Sequence, residues 1–197
     1  MPRAGLAPAS VTEAGAALAD EVGFAQLSMG LLAERLGVKT PSLYKHVDGL
    51  ADLSHRIAVL AAIELGDVLR DATQGRAGRD ALVAAAQAMR RYVLEHPGRY
   101  AAGNAAAVTG PDDPLVPAIT RMLGSLSAVL RGYDLDPAQE IHALRLLRSL
   151  LHGFATLEAE GSFQFDTDVD ESFTWIVNFV DLGLQQSAPA RPTSRRR

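Results

Sequence analysis

The chain has 197 residues, no cysteine, 48% apolar and 21% charged residues, and a formal net charge of −4. That length buries a core in one domain or two small ones, while the missing cysteines exclude a disulfide framework, a thiolate metal site and a cysteine nucleophile. The net negative charge argues against a general polyanion binder, and neither a secretory signal core nor a run of about 18 apolar residues that could span a bilayer is present, so a cytoplasmic protein is expected.

Apolar residues recur with a period of 3.6 almost throughout, and Ala, Leu and Arg dominate, so the expected fold class is all-α. The first helix is expected from about Ser10 as N-cap, with Glu13 completing a capping box and Val11, Ala14, Leu18 and Val22 on its apolar face until Gly23 stops it. The second begins after Ser28 and carries Met29, Leu32, Ala33 and Leu36 up to Gly37. The third opens at Thr40 as N-cap with Pro41 at the first helical position and ends near Val47. Asp48 is read as the cap of a fourth helix running to about Arg70. After a turn at 74–78, a fifth helix covers roughly 79–95, and a short segment follows at 98–107. Gly110-Pro111-Asp112-Asp113-Pro114 signals a loop. Helices over about 115–131, 137–160 (capped by Asp136) and 170–186 complete the pattern. The tail from Ser187, rich in Pro and Arg, is expected to be disordered. The domains implied are 8–53, 54–187 and a tail at 188–197.

Residues 1–60 carry five Lys/Arg (Arg3, Arg35, Lys39, Lys45, Arg56) against six Asp/Glu (Glu13, Asp20, Glu21, Glu34, Asp48, Asp52). Any nucleic-acid contact must therefore come from a local patch, and Lys39 with Lys45 is the compact one. Residues 28–47 read as a helix, a tight turn at Gly37-Val38-Lys39, and a second short helix. Ala33 is small where two helices approach, Gly37 suits a left-handed helix end, and Val38 plugs the corner. Leu43 and Val47 give the second helix one narrow apolar stripe. Its other face is Lys39, Thr40, Ser42, Tyr44, Lys45 and His46, which suits insertion into a DNA major groove. A helical corner alone is common in all-α proteins; the Thr40–Val47 string is much more specific.

Those residues carry a resemblance. Ser28-Met29, Leu32-Ala33-Glu34-Arg35-Leu36-Gly37-Val38, Pro41-Ser42-Leu43-Tyr44 and His46-Val47 look like the helix-turn-helix domain of TetR-type transcriptional regulators, over about residues 10–60. The later Leu150–Glu158 and Asp168–Phe173 segments resemble one branch named for a Trp-His-Gly signature, although no tryptophan precedes His152-Gly153. The resemblance implies phosphate contacts from Ser28, Thr40, Tyr44 and His46, and base-edge or groove contacts from Lys39, Pro41, Ser42 and Lys45. Gly30 stands where some relatives have a base-reading arginine, and Leu50 replaces a phosphate-anchoring lysine. Arg3 lies in a segment that could enter the minor groove.

The last two helices are apolar on two faces each, which requires burial on two sides. One face carries Ile141, Leu144, Leu151 and Ala155, with Leu146, Leu147, Leu150 and Leu157 beside it. On the last helix Ile176, Val177, Val180 and Leu184 share a face with Phe173, and Trp175, Phe179 and Leu182 form another. The resemblance implies that these helices pair with their symmetry mates in a homodimer. Ile141, Leu151, Ile176, Val177, Val180 and Leu184 are the expected interface, and Val180→Glu is expected to abolish dimerisation. A C2 dimer would offer two recognition helices to a palindromic operator in double-stranded DNA.

Asp166, Asp168, Asp170 and Glu171 resemble the start of a calcium loop, but Glu171 stands where glycine is needed and Val177 where the bidentate acid belongs. The acids read better as caps for the last helix, and no metal or cofactor is expected. No catalytic pattern is present, so an enzyme is not expected. The resemblance implies a small-molecule effector pocket. His96, Tyr100, Asn104, Met122, His142, Arg145, His152 and Trp175 are its candidate polar or adaptable groups, each as readily a core or surface residue. The expectation is a ligand-responsive homodimeric repressor; the alternative is an all-α dimeric small-molecule-binding or interaction protein whose DNA-reading half has decayed.

Overall fold

The computed structural model describes residues 6–187. Among them the helices are α1 (Pro8–Val22), α2 (Met29–Arg35), α3 (Thr40–Leu43), α4 (Leu50–Thr73), α5 (Gly78–Glu95), α6 (Pro97–Ala105), α7 (Leu115–Leu130), α8 (Pro137–Ala159) and α9 (Val169–Gln186), with 3-10 turns at Phe24–Gln26 and Arg131–Tyr133. The all-α expectation holds. The tail from 188 and Arg3 lie outside the described residues.

Helix ends follow local chemistry; three starts differ from expectation, and α3 ends at Leu43 rather than near Val47. α1 starts two residues before Ser10, with Pro8 in its first turn. Ser10 serves from inside the helix: its hydroxyl accepts from the Ala7 amide at 3.0 Å and donates to the Ala7 carbonyl at 2.9 Å. Lys39, not Thr40, is the N-cap of α3. At α4 the Asp52 carboxylate accepts from the Asp48 amide at 2.9 Å, so the cap comes from within the helix. The other expected caps hold: Ser28 Oγ accepts from the Leu31 amide at 3.2 Å, Asp136 from Ala138 at 2.8 Å, and Asp168 from Asp170 at 2.7 Å and Glu171 at 3.1 Å. The acidic run before α9 thus supplies its cap.

The chain forms two compact units, with α4, α5 and α7 each contributing to both. One holds the described residues up to Asp67 together with Arg91–Met122; the other holds Val68–Arg90 and the described residues from Leu123. In the first, Val11, Leu32, Leu43, Val47, Leu53 and Ile57 make a shared core for α1–α4. α6 crosses the end of α1 at Gly98, where a Cβ would fall 1.9 Å from the Ala19 carbonyl oxygen, so only glycine permits the approach.

In the second unit α9 turns Phe173, Val177, Val180 and Leu184 inward, and α8 turns Ala143, Leu147, Leu151, Phe154 and Ala155 inward. Arg90 forms a bidentate pair with Glu158, both contacts at 2.6 Å, and its guanidinium lies 4.8 Å from the Phe173 ring centroid. Asp181, also buried, accepts from the Tyr133 hydroxyl at 2.7 Å and from Gln185 at 2.9 Å.

This burial corrects the expected interface. Leu151, Val177, Val180 and Leu184 are buried in the protomer itself, so they cannot form a surface for a second copy. Ile176 is half-buried and Ile141 exposed. The free apolar surface is the other face: Trp175, Phe179 and Leu182 on α9, 65, 64 and 56% exposed, with Leu146 and Leu157 on α8. Trp175 and Phe179 stack with centroids 5.5 Å apart. Periodicity reveals two apolar faces on each helix but is silent on which one the protomer uses for itself.

Candidate nucleic-acid interface

The α2–turn–α3 segment is a rigid support for a small polar surface. Leu32 and Ala33 bury one side of α2, and Leu43 and Val47 bury the underside of α3 and the turn after it. Gly37 adopts φ +65°, the left-handed conformation that ends α2 and re-aims the chain. Val38 packs partly buried against the same core, as the corner requires. The Val38 amide donates to the Ala33 carbonyl at 3.0 Å and Ser42 to Lys39 at 2.8 Å, so the corner is hydrogen-bonded through both sides.

With Leu43 and Val47 directed inward, Lys39, Pro41, Tyr44 and Lys45 are exposed, and Thr40, Ser42 and His46 are half-buried beside them. Ser28, the N-cap of α2, is half-buried; its Oγ accepts a backbone bond and keeps its own proton for donation. The structure therefore brings Lys39 through His46 together on one short surface and sets Ser28 at the start of the preceding helix. Gly49, at φ +93°, lies under the Tyr44 ring, where a Cβ would sit 3.9 Å from the ring edge.

The charges around this surface are sorted. Arg35 is held by Glu21 in a bidentate pair, which also lowers the Glu21 pKa below its ordinary value. Arg56 is paired with Asp52 at 2.9 Å. Lys39 and Lys45, the two lysines of the chain, have no carboxylate partner among the described residues. Glu21 and Asp52 are thus spent on arginines, and two exposed cations remain for an outside anion.

Behind this half lies a polar cluster that sequence reading missed. Asp20 on α1 accepts from the Arg99 amide and Nε, and Arg99 reaches Glu64 on α4 at 2.9 Å. Tyr92 donates to Glu64 at 2.9 Å, and burial pushes its hydroxyl pKa up. His55 on α4 meets the buried Asp113 at 2.8 Å, and Asp113 also accepts from the amides of Thr109 and Leu115. Pro97-Gly98 at the start of α6 is the sequence signal that could have pointed to the close crossing.

Of the eight candidate effector residues, His96, Tyr100, Asn104 and Met122 belong to the first unit and His142, Arg145, His152 and Trp175 to the second. His96 faces Asp20 at 3.3 Å, Tyr100 is buried, and Asn104 is exposed and donates to the Tyr100 carbonyl. The Met122 backbone lies against Gly66. His142, Arg145 and Trp175 are exposed, while His152 is half-buried with Thr156 at 3.4 Å. Of the eight, only His142 borders either of two clefts on the second unit: one of about 410 Å³ that includes it, and one of about 500 Å³ lined by Phe154, Phe163 and Phe165.

Residues 11–53 match the family described as bacterial regulatory proteins, tetR family, and residues 82–180 match the tetracyclin repressor-like C-terminal domain. An uncharacterised HTH-type transcriptional regulator of Mycobacterium tuberculosis, Rv0681, is 37% identical over 178 residues, covering 90% of this chain and 81% of the relative. The chain belongs to the TetR family. Solved TetR-like structures share the fold. BioQ with its double-stranded DNA operator superposes with a TM-score of 0.66 at 22% identity, covering 92% of this chain and 99% of that one. A TetR variant of Acinetobacter baumannii in complex with minocycline gives 0.70 at 21% identity, covering 94% and 100%. As a TetR-family member the protein is a transcriptional regulator with a DNA-binding helix-turn-helix, and not an enzyme. No described helix is long and apolar enough to cross a membrane.

Proposed function

We propose that this protein is a cytoplasmic, homodimeric transcriptional repressor that binds a palindromic operator and is released by a small molecule. The observation that carries the DNA half is the pair of unpartnered lysines, Lys39 and Lys45, on a polar surface whose reverse side is anchored by Leu43 and Val47. Lys45 would read guanine O6 and N7, Pro41 or Thr40 a thymine methyl, and Lys39 and Ser42 the groove, while Ser28, Thr40, Tyr44 and His46 hold phosphates. The dimer would form through the exposed Trp175, Phe179, Leu182 and Leu146 faces, which leave apolar surface that water disfavours.

The TetR relative crystallised with minocycline and the BioQ–operator complex support the same division of labour. α4 carries Arg56 and His55 near its start and runs on to Thr73, so a shift of α4 would change the separation of the two recognition helices. An effector acts only by binding the non-DNA form more tightly. Within the family, His152-Gly153 and Asp168–Phe173 favour the Trp-His-Gly branch.

The test is fluorescence anisotropy on a labelled fragment from immediately upstream of the protein's own gene, against a scrambled fragment, at two salt concentrations. Preference for the native fragment with steep salt weakening supports the repressor. Absence of binding there and in a selection from random DNA would shift the reading to a dimeric small-molecule-binding protein.

A further inference from the structure

Phe165 is 93% exposed, in the loop that joins α8 to α9. A phenyl ring standing almost wholly in water is an unusual expense, and the groups around it give it a character: Asp166 beside it and Glu171 on the first turn of α9 are exposed and unpaired among the described residues. At the other end of the α8–α9 seam lies the cleft of about 410 Å³ lined by Leu135, Ala143, Leu146, Leu184, Gly183 and His142. A void of roughly 150 Å³ already takes a benzene ring. His142 lines this cleft, and Arg145, one turn on along α8, is exposed without a carboxylate partner among the described residues.

Phe165 borders the cleft of about 500 Å³ beside its own loop but cannot reach this second one in its own chain. His142 and Ala159 are separated by seventeen residues of one helix, roughly 25 Å of axial rise. A second copy can fill it. The cleft continues the exposed α8–α9 face through Leu146, and a C2 dimer makes every contact twice. If the axis crosses α8 near its middle, the two α8 helices run antiparallel, and the loop of each protomer lies over the opposite end of its partner. A parallel arrangement would instead stack two copies of Asp166, Asp168 and Glu171, whereas the antiparallel one sets them beside His142 and Arg145 as well as Asp136 and Glu140, so that the rim cations offset like charges that the parallel one leaves unopposed.

We infer that Phe165 of each protomer is a knob that seats in the Leu135–Leu146–Leu184 cleft of the other, with Asp166 and Glu171 meeting His142 and Arg145 across the rim. The proposal rests on the α8–α9 dimer proposed above and adds its direction and its anchor.

The chain has no cysteine, so single thiols report proximity without background. Phe165→Cys, His142→Cys and the double variant are purified, their folds checked by circular dichroism, and each treated with a short bismaleimide. The expected result is a covalent dimer from the double variant and from neither single one. In parallel, Phe165→Ala should raise the dimer dissociation constant roughly tenfold or more in sedimentation, as loss of a buried aromatic anchor does. A covalent dimer from Phe165→Cys alone would place the two loops together and overturn the antiparallel seat. No cross-link and an unchanged dissociation constant, with Leu182→Glu still dissociating the dimer, would sink the knob and leave the α8–α9 dimer standing. A dimer that survives Leu182→Glu as well would remove both.

Discussion

Arg99 grips Asp20 with two donors at once: its backbone N–H reaches one carboxylate oxygen and its Nε the other, each at 2.8 Å. Both side chains are about nine-tenths buried, and the same guanidinium holds Glu64 of α4. One residue of α6 thus ties the DNA-binding half, through α1, to the long α4. Arg99→Ala would leave two shielded carboxylates without their cation. A loss of about 3 kcal/mol in urea unfolding is expected, since breaking a buried pair strands the remaining charge. An unchanged midpoint would mean that Asp20 and Glu64 find water as readily as they find Arg99.

The crossing beneath this contact tolerates no side chain. Gly98→Ala would drive a methyl into the Ala19 carbonyl, and backbone cannot give way as a flexible side chain does. We expect destabilisation of at least about 2 kcal/mol. Gly103→Ala, in the same helix, would meet only the Ala61 methyl at 3.7 Å. It should be neutral or stabilise by up to about 1 kcal/mol, because alanine is the better helix former. Two melting curves decide it, and equal shifts would contradict the crossing.

Val180 and Leu182 sit two residues apart on opposite faces of α9. Val180 is 4% exposed and Leu182 56%. Val180→Glu buries a charge in the protomer and should unfold it or cost several kcal/mol. Leu182→Glu should leave the helical circular dichroism intact while sedimentation shifts to monomer. Monomers that are folded in both variants would restore the interface expected from periodicity alone.

On DNA, Tyr44→Ala should weaken binding to every sequence alike and Lys45→Ala should also relax base preference, each by about 1–3 kcal/mol. The Lys45 change should also reduce the salt slope if that lysine sits on phosphate instead, which makes the slope the discriminating readout. Identical specificity profiles for the two variants would end the assigned division of roles.

Asp113 is held well below its ordinary pKa of 3.8, first by the Thr109 and Leu115 amides that donate to it, then by His55. A carboxyl depressed by folding binds its proton more readily in the unfolded chain. Its stabilisation is therefore full above the unfolded value and declines as pH falls below about 4 toward the folded value. Asp113→Asn should flatten the acid limb of a stability–pH curve below pH 4. An acid limb of unchanged steepness would assign it to other carboxylates.

Helices and their caps were readable where a side chain declares itself locally: Ser28, Asp136 and Asp168 each cap as expected, and Gly37 turns left-handed. Ser10 misled because a serine at the third helical position offers its hydroxyl to the same backbone groups from the other side. The exposed polar face of α3 was legible because Leu43 and Val47 leave one choice of underside. Which face of α9 stays exposed was not, because Phe173-Val177-Val180-Leu184 and Trp175-Phe179-Leu182 are equally apolar stripes, and only tertiary packing chooses between them. The Asp20–Arg99–Glu64 cluster joins residues far apart in the chain, and no local pattern announces such a meeting.

α3 is four residues long. With the residues that flank it, Lys39–His46 is the whole proposed reading surface, and so few side chains would reach base edges that a single protomer would gather little information, with each good contact discriminating by about 1–3 kcal/mol. Choosing one site in a genome must then be a collective property of two readers and the spacing between them. Such a regulator would tolerate drift in one half of its operator while punishing any insertion at the centre, so the distance between half-sites, more than their letters, becomes its address.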